Sequence, residues 1–80
     1  NFLSNLEKLF TLYKKDKDIG LINLSLFLTD YHFEKVKEKE NIDKIYENKF
    51  FILNNINKFI TFNINQNSLL NAINNKLLNG

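Results

Sequence analysis

Residues 49–64, Lys-Phe-Phe-Ile-Leu-Asn-Asn-Ile-Asn-Lys-Phe-Ile-Thr-Phe-Asn-Ile, constrain the fold more than any other stretch of the chain. Phe50, Phe51, Ile52 and Leu53 form one apolar run. Phe59, Ile60, Phe62 and Ile64 form a second, with Thr61 and Asn63 alternating within it. Aromatic and β-branched residues suit a pleated, half-buried surface. Asn54, Asn55 and Asn57 separate the runs, and asparagine accepts the positive φ that tight hairpin turns need. The pattern predicts a β-hairpin, and the flanking segments are read around it.

Residues 1–16 carry an apolar stripe on a helical period, with Phe2, Leu6, Leu9 and Tyr13 spaced four, three and four, and Leu3 and Phe10 beside them. Ser4 and Glu7 have capping-box spacing, and Asn1 is an equally good N-cap. Lys14 and Lys15 suit the negative end of the helix dipole, and Gly20 is expected to stop the helix. Residues 21–28 switch to a period of two: Ile22, Leu24, Leu26 and Leu28 alternate with Asn23, Ser25 and Phe27, which predicts a strand. That strand is uncharged, an aggregation hazard on a sheet edge, so its free edge is expected to be covered by a partner. Within residues 29–48, Glu34 through Glu40 alternates lysine and glutamate around Val36; propensity alone allows a helical turn or two, but the segment reads as a solvated, mobile loop. Leu69, Leu70, Ile73 and Leu77 predict a final helix over residues 67–79, capped by Asn67 or Ser68 and closed by Gly80. The expected fold class is α+β: an α-β-β-β-α domain spanning residues 1–80, with two helices on one face of a three-stranded antiparallel sheet.

The chain of 80 residues is short enough for one domain. A domain of that size buries only about 60% of its unfolded surface, so its stability is marginal and a partner covering apolar surface would help. With no cysteine, disulfides, thiolate catalysis and cysteine metal sites are excluded, which fits a reducing, cytoplasmic setting. The net charge of +2 is a weak basic bias, and every positive side chain is a lysine, so bidentate arginine contacts are absent. Asparagine, isoleucine and lysine all have A/T-rich codons, so their abundance reads as genome bias. No apolar run approaches the ~20 residues of a membrane span. No signal peptide is visible, and residue 1 is Asn, so the native start can lie outside this chain.

Catalytic chemistry has little to stand on. His32 is the only histidine and reads as a lone loop residue. Carboxylates pair only within the lysine–glutamate run, no glycine-rich phosphate loop exists, and no metal-ligand spacing occurs. The chain is expected to be non-enzymatic and to need no cofactor. The candidate nucleic-acid contacts are lysines: Lys35, Lys37, Lys39 and Lys44 in the loop, with Lys49 and Lys58 opening the two hairpin strands. Such contacts to phosphate position a protein without reading sequence.

The order α-β-β-β-α admits two RNA-binding families. The double-stranded-RNA-binding domain needs a basic cluster opening its last helix, and Asn67-Ser68-Leu69-Leu70-Asn71-Ala72 has none. The chain instead resembles the Alu-domain subunits of the signal recognition particle, most closely the fourteen-kilodalton type of that heterodimer. The resemblance lies in Phe2-Leu3-Ser4-Asn5-Leu6-Glu7-Lys8-Leu9-Phe10, in Gly20-Leu21-Ile22-Asn23-Leu24-Ser25-Leu26, in Asn48-Lys49, and in Lys58 with Ile60-Thr61-Phe62-Asn63-Ile64. It covers nearly the whole chain as a pattern of apolar positions. It implies a cytoplasmic RNA-binding scaffold that pairs with a homologous smaller subunit into a continuous curved sheet. The concave face would grip the Alu domain of the particle RNA, the ribosome would be engaged indirectly, and translation elongation would be slowed during targeting. Lys49 and Lys58 become RNA-facing candidates by position, and the loop lysines RNA-loop candidates. The family's lysine pair after its first strand is replaced here by Phe27 and Leu28.

A second reading belongs to a different class: a protein-only interaction module that pairs through the uncharged segment, with Ile22, Leu24, Leu26, Phe27 and Leu28 at the interface.

Overall fold

The computed structural model describes residues 1–79, and they form four helices: α1 (Phe2–Asp16), α2 (Ile19–Val36), α3 (Ile42–Phe62) and α4 (Gln66–Asn79). No strand occurs among the described residues, so the expected three-stranded sheet is corrected to an all-helical fold. The helices close into a ring in chain order. α1 packs on α2 and α4, α3 packs on α2 and α4, and the diagonal pairs make no close backbone approach among the described residues. Short links between sequential neighbours make this an antiparallel bundle, 36 Å long and 20 Å across.

The two expected helices are present. Asn1 caps α1, its side-chain oxygen accepting from the Ser4 N–H at 2.8 Å, so Asn1 rather than the Ser4–Glu7 pair starts the helix. The α4 cap falls earlier than expected, with Asn65 Oδ1 accepting from the Ser68 N–H at 3.0 Å; Gly80 lies outside the described residues.

Gly20 does not end α1. Lys17 does so in the left-handed conformation, φ 56° and ψ 27°, its N–H donating to the Tyr13 carbonyl at 2.7 Å. Gly20 sits inside the first turn of α2, where its N–H donates to the capping Asp18 carboxylate at 2.9 Å. A Cβ there would stand 3.1 Å from that same oxygen, so glycine leaves room for the cap.

The expected strand over residues 21–28 lies within α2, and the two hairpin strands lie within α3. The buried face of α2 explains the first error. Ile22, Ser25, Thr29 and Phe33 face inward at spacings of three, four and four. Two of these are small and polar, so the helical period is silent in hydrophobicity. Both hydroxyls turn back on their own helix: Ser25 Oγ donates to the Leu21 carbonyl at 2.9 Å and Thr29 Oγ1 to the Ser25 carbonyl at 2.8 Å. With their polar atoms satisfied, these short side chains sit in the interior without an orphaned group.

Helix α3 buries Ile45, Asn48, Ile52, Ile56 and Phe59. Asn54, Asn55 and Asn57 do not turn the chain; Asn55 Nδ2 donates to the Phe51 carbonyl one turn back at 2.8 Å. The left-handed asparagine is Asn63, with φ 51° and ψ 46°, which ends α3. The expected loop over residues 29–48 is the second half of α2, a short turn, and the start of α3, where Asn41 Oδ1 accepts from the Asp43 and Lys44 N–H groups at 2.9 and 3.3 Å.

The core runs along the bundle axis from Leu6, Phe10, Ile22 and Phe33 to Ile45, Ile52, Ile56 and Phe59, with Leu69, Leu70 and Ile73 of α4. Phe10 and Phe59 meet across the ring at 5.2 Å between centroids, joining the diagonal α1–α3 pair through side chains. Burying each such side chain contributes about 1.5–3 kcal/mol. Asn48 is the polar exception: it is buried and its Oδ1 has no hydrogen-bond partner among the described residues.

Candidate interaction surface

The same helical period that buries one face of α2 and α3 pushes other large apolar residues outward. On α2, Leu24, Phe27 and Tyr31 fall at spacings of three and four, and all three are exposed. On α3, Tyr46 and Phe50 are four apart and exposed, and Leu53 follows them half-buried. At about 100° per residue, Phe27 and Tyr31 of α2 and Tyr46, Phe50 and Leu53 of α3 lie toward the flank of each helix that borders the other, whereas Leu24 borders α1, in a hollow with Asn5, Lys8, Leu9 and Leu28. Phe27 and Phe50 are each 73% exposed, Tyr46 63% and Tyr31 53%.

Two concavities mark the seam between α2 and α3, and another lies beside them on the outer side of α2. Toward one end, Leu26, Asp30, Leu53, Asn57 and Ile60 surround a groove floored by Ile56. Asp30 also borders a second hollow with Phe27, Tyr31 and Glu34. Glu34 in turn borders a third with Phe33, Lys37, Ile45, Tyr46 and Lys49. The shared walls make one continuous surface. Aromatic side chains carry about 150–250 Å² each, so the four exposed rings present roughly 500 Å², and the half-buried Leu26, Leu53 and Ile60 bring it to about 600 Å². The largest apolar patch on a typical monomer is about 300–600 Å² and is often functional.

Charge divides this surface. No charged residue occurs in residues 21–29 or 50–57, and these segments stand side by side. The charges begin at Asp30, which borders the groove, and run from there toward the other end, paired within the chain. Lys49 bridges to Asp30 across the seam at 2.6 Å, and Lys37 pairs with Glu34 one turn away. The Glu34 carboxylate raises the Lys37 pKa by accepting its hydrogen bond.

The candidate RNA lysines do not converge. Lys35 Nζ lies 4.8 Å from the Tyr31 ring centroid, while Lys37 and Lys49 are held by carboxylates. Lys39 sits in the α2–α3 turn. Lys44 and Lys58 fall seven residues to either side of Phe51, whose ring lies 5.7 Å from Lys76 Nζ of α4. They therefore occupy the flank of α3 nearer α4, about 21 Å apart along the helix. The strand ends that were to carry Lys49 and Lys58 do not exist; both lysines lie within α3. The expected interface residues also divide. Ile22 is core, Leu26 and Leu28 are half-buried, and Leu24 and Phe27 are exposed.

His32 is a half-buried residue of α2 and not a loop histidine. Its ring stacks on Phe2 at 4.1 Å and 7° between planes, with Phe33 edge-on at 5.1 Å. Burial lowers its pKa, and the nearby Glu40 carboxylate opposes this. No cluster of three or more His, Cys, Asp or Glu side chains able to hold a metal ion occurs among the described residues. No helix among them is long and apolar enough to cross a membrane.

Sequence reasoning missed Tyr31, Tyr46, Phe50 and Leu53 as surface residues. The available signal was the position of Tyr46, Phe50 and Leu53 off the Ile45–Ile52–Ile56–Phe59 register, and of Tyr31 off the Ile22–Ser25–Thr29–Phe33 register, which appear only once both segments are read on a helical period. Comparison with protein-family models, curated proteins and solved structures gives no match.

Proposed function

We propose that this chain is a non-enzymatic helical interaction module that docks a protein on its α2–α3 face. The observation that supports this is the apolar surface of Phe27, Tyr31, Tyr46, Phe50 and Leu53, about as large as one side of a small specific interface. Exposed aromatics of this kind are enriched at the centres of protein interfaces and supply much of their binding energy. The charge-free half favours an apolar or neutral partner surface over a polyanion.

The signal-recognition-particle reading leans on a concave sheet. With no strand among the described residues, that support falls away. Its lysines are split between two flanks, and several already have partners within the chain.

A photo-crosslinking amino acid placed at residue 27 or 50, and as a control at residue 58, separates the readings in native extract. Discrete protein adducts from positions 27 and 50 but not 58, unchanged by nuclease, are the expected result. Adducts that form equally at 58 would remove the α2–α3 face as the docking surface. Adducts lost on nuclease treatment would return the function to nucleic acid.

A further inference from the structure

We infer that the occupant of the α2–α3 face is a second copy of this chain, related by a two-fold axis through the charge-free half of the surface. The inference rests on the docking reading above and names its partner. The surface is self-complementary in shape. Phe27 projects from α2 immediately beside the groove walled by Leu26, Leu53 and Ile60, with Asp30 bordering the hollows on both sides. That groove is open to solvent and offers about 360 Å³ over an apolar floor, room enough for an aromatic ring, since an apolar cavity of about 150 Å³ accepts benzene. A two-fold axis between the projecting ring and the groove places each Phe27 in the groove of the other copy. This is the reciprocal contact of an isologous interface.

The surface is also self-complementary in charge. The axis brings residues 21–29 and 50–57 of one copy against the same uncharged segments of the other. The Lys49–Asp30 pair borders the groove and is already neutralised within its own chain, and the Lys37–Glu34 pair is left toward the ends of the contact. Asp30 enters the contact paired with Lys49, so no unpaired charge is brought to the axis. The area fits as well. About 600 Å² per copy, or about 1,200 Å² for the pair, reaches the lower end of specific protein interfaces.

The test is the mass of the full chain in solution by light scattering and sedimentation equilibrium, from low micromolar concentration upward. The expected result is a reversible monomer–dimer equilibrium. Phe27→Glu and Phe50→Glu should each weaken it by roughly 30-fold or more, the scale of an interface hot spot. Both positions are exposed, so helical circular dichroism should not change, and Lys58→Glu on the other flank should leave the equilibrium as it is. A wild-type chain that stays monomeric at every concentration overturns the inference. So does a dimer that survives both glutamate variants. If the chain is monomeric while positions 27 and 50 still crosslink to other proteins, the second copy is excluded and the docking reading stands. If neither self-association nor face-specific crosslinking occurs, both fall.

Discussion

His32 shows how a single side chain changes meaning between sequence and structure. In the sequence it is the only histidine, beside a run of alternating charge, and it reads as a lone loop residue. In the bundle it lies flat against Phe2 and ties the start of α1 to the second half of α2. Its neutral form fits that apolar contact, and burial accordingly lowers its pKa, with Glu40 the charged group that opposes the shift. The unfolded chain then binds more protons than the native one near the usual histidine range, so stability rises with pH there. The contribution is fully present above the unfolded pKa and is lost as pH falls through the lowered native value. Glu47, held below the ordinary carboxylate range by its hydrogen bond to Lys76, loses its contribution only at more acidic pH. Thermal unfolding of wild type between pH 8 and pH 5.5 should therefore show a melting temperature that falls toward acid. His32→Phe, which keeps the stack and removes the titration, should flatten that slope. Equal slopes in the two proteins would mean that His32 does not govern this pH window.

At the level of elements, α1 and α4 were legible because their buried positions are apolar and recur at three and four residues. Leu6 and Phe10 in one, and Leu69, Leu70 and Ile73 in the other, carry the period on their own. The middle helices were not legible, for two physical reasons. Their inward faces include Ser25, Thr29 and Asn48, which hide the helical period. Their outward faces include Leu24, Phe27, Tyr46 and Phe50, which add hydrophobicity where a solvated helix would be polar. Together these imitate strand alternation in α2 and continuous strand runs in α3. The candidate surface was half legible for the same reason. Its uncharged segment drew attention as an edge needing a partner, but Ile22 was assigned to the edge when it belongs to the core. The helix signals that did exist were caps. Asn41 is the clearest, since its side chain serves two N–H groups of α3 at once. Asn41→Ala should cost about 1 kcal/mol, within the 0.5–2 kcal/mol typical of N-caps. Chemical denaturation should show a lower midpoint at unchanged slope. An unchanged midpoint would mean that the first turn of α3 is held by packing alone.

At the scale of the whole molecule, a four-helix ring of 80 residues has one layer of core and little surplus stability. It nevertheless leaves rings as large as Phe27 and Phe50 in water. Covering them links folding to concentration, because a ligand that binds only the native state stabilises it by mass action, and here the ligand is the chain itself. For a native dimer, each tenfold rise in protein concentration adds about 1.4 kcal/mol per dimer to the unfolding free energy. Spread over the unfolding entropy of two chains, this is a rise in melting temperature of roughly 3–5 °C per decade. Wild-type melting should therefore climb with concentration across the range where the dimer is populated. Phe27→Glu should melt at one temperature throughout, and wild type should converge on that value as it is diluted. Convergence at low concentration separates an effect of association from an effect of the substitution on the monomer. If the wild-type melting temperature is flat, the exposed face contributes nothing to stability through self-association; if the two curves stay parallel, the glutamate has damaged the bundle itself.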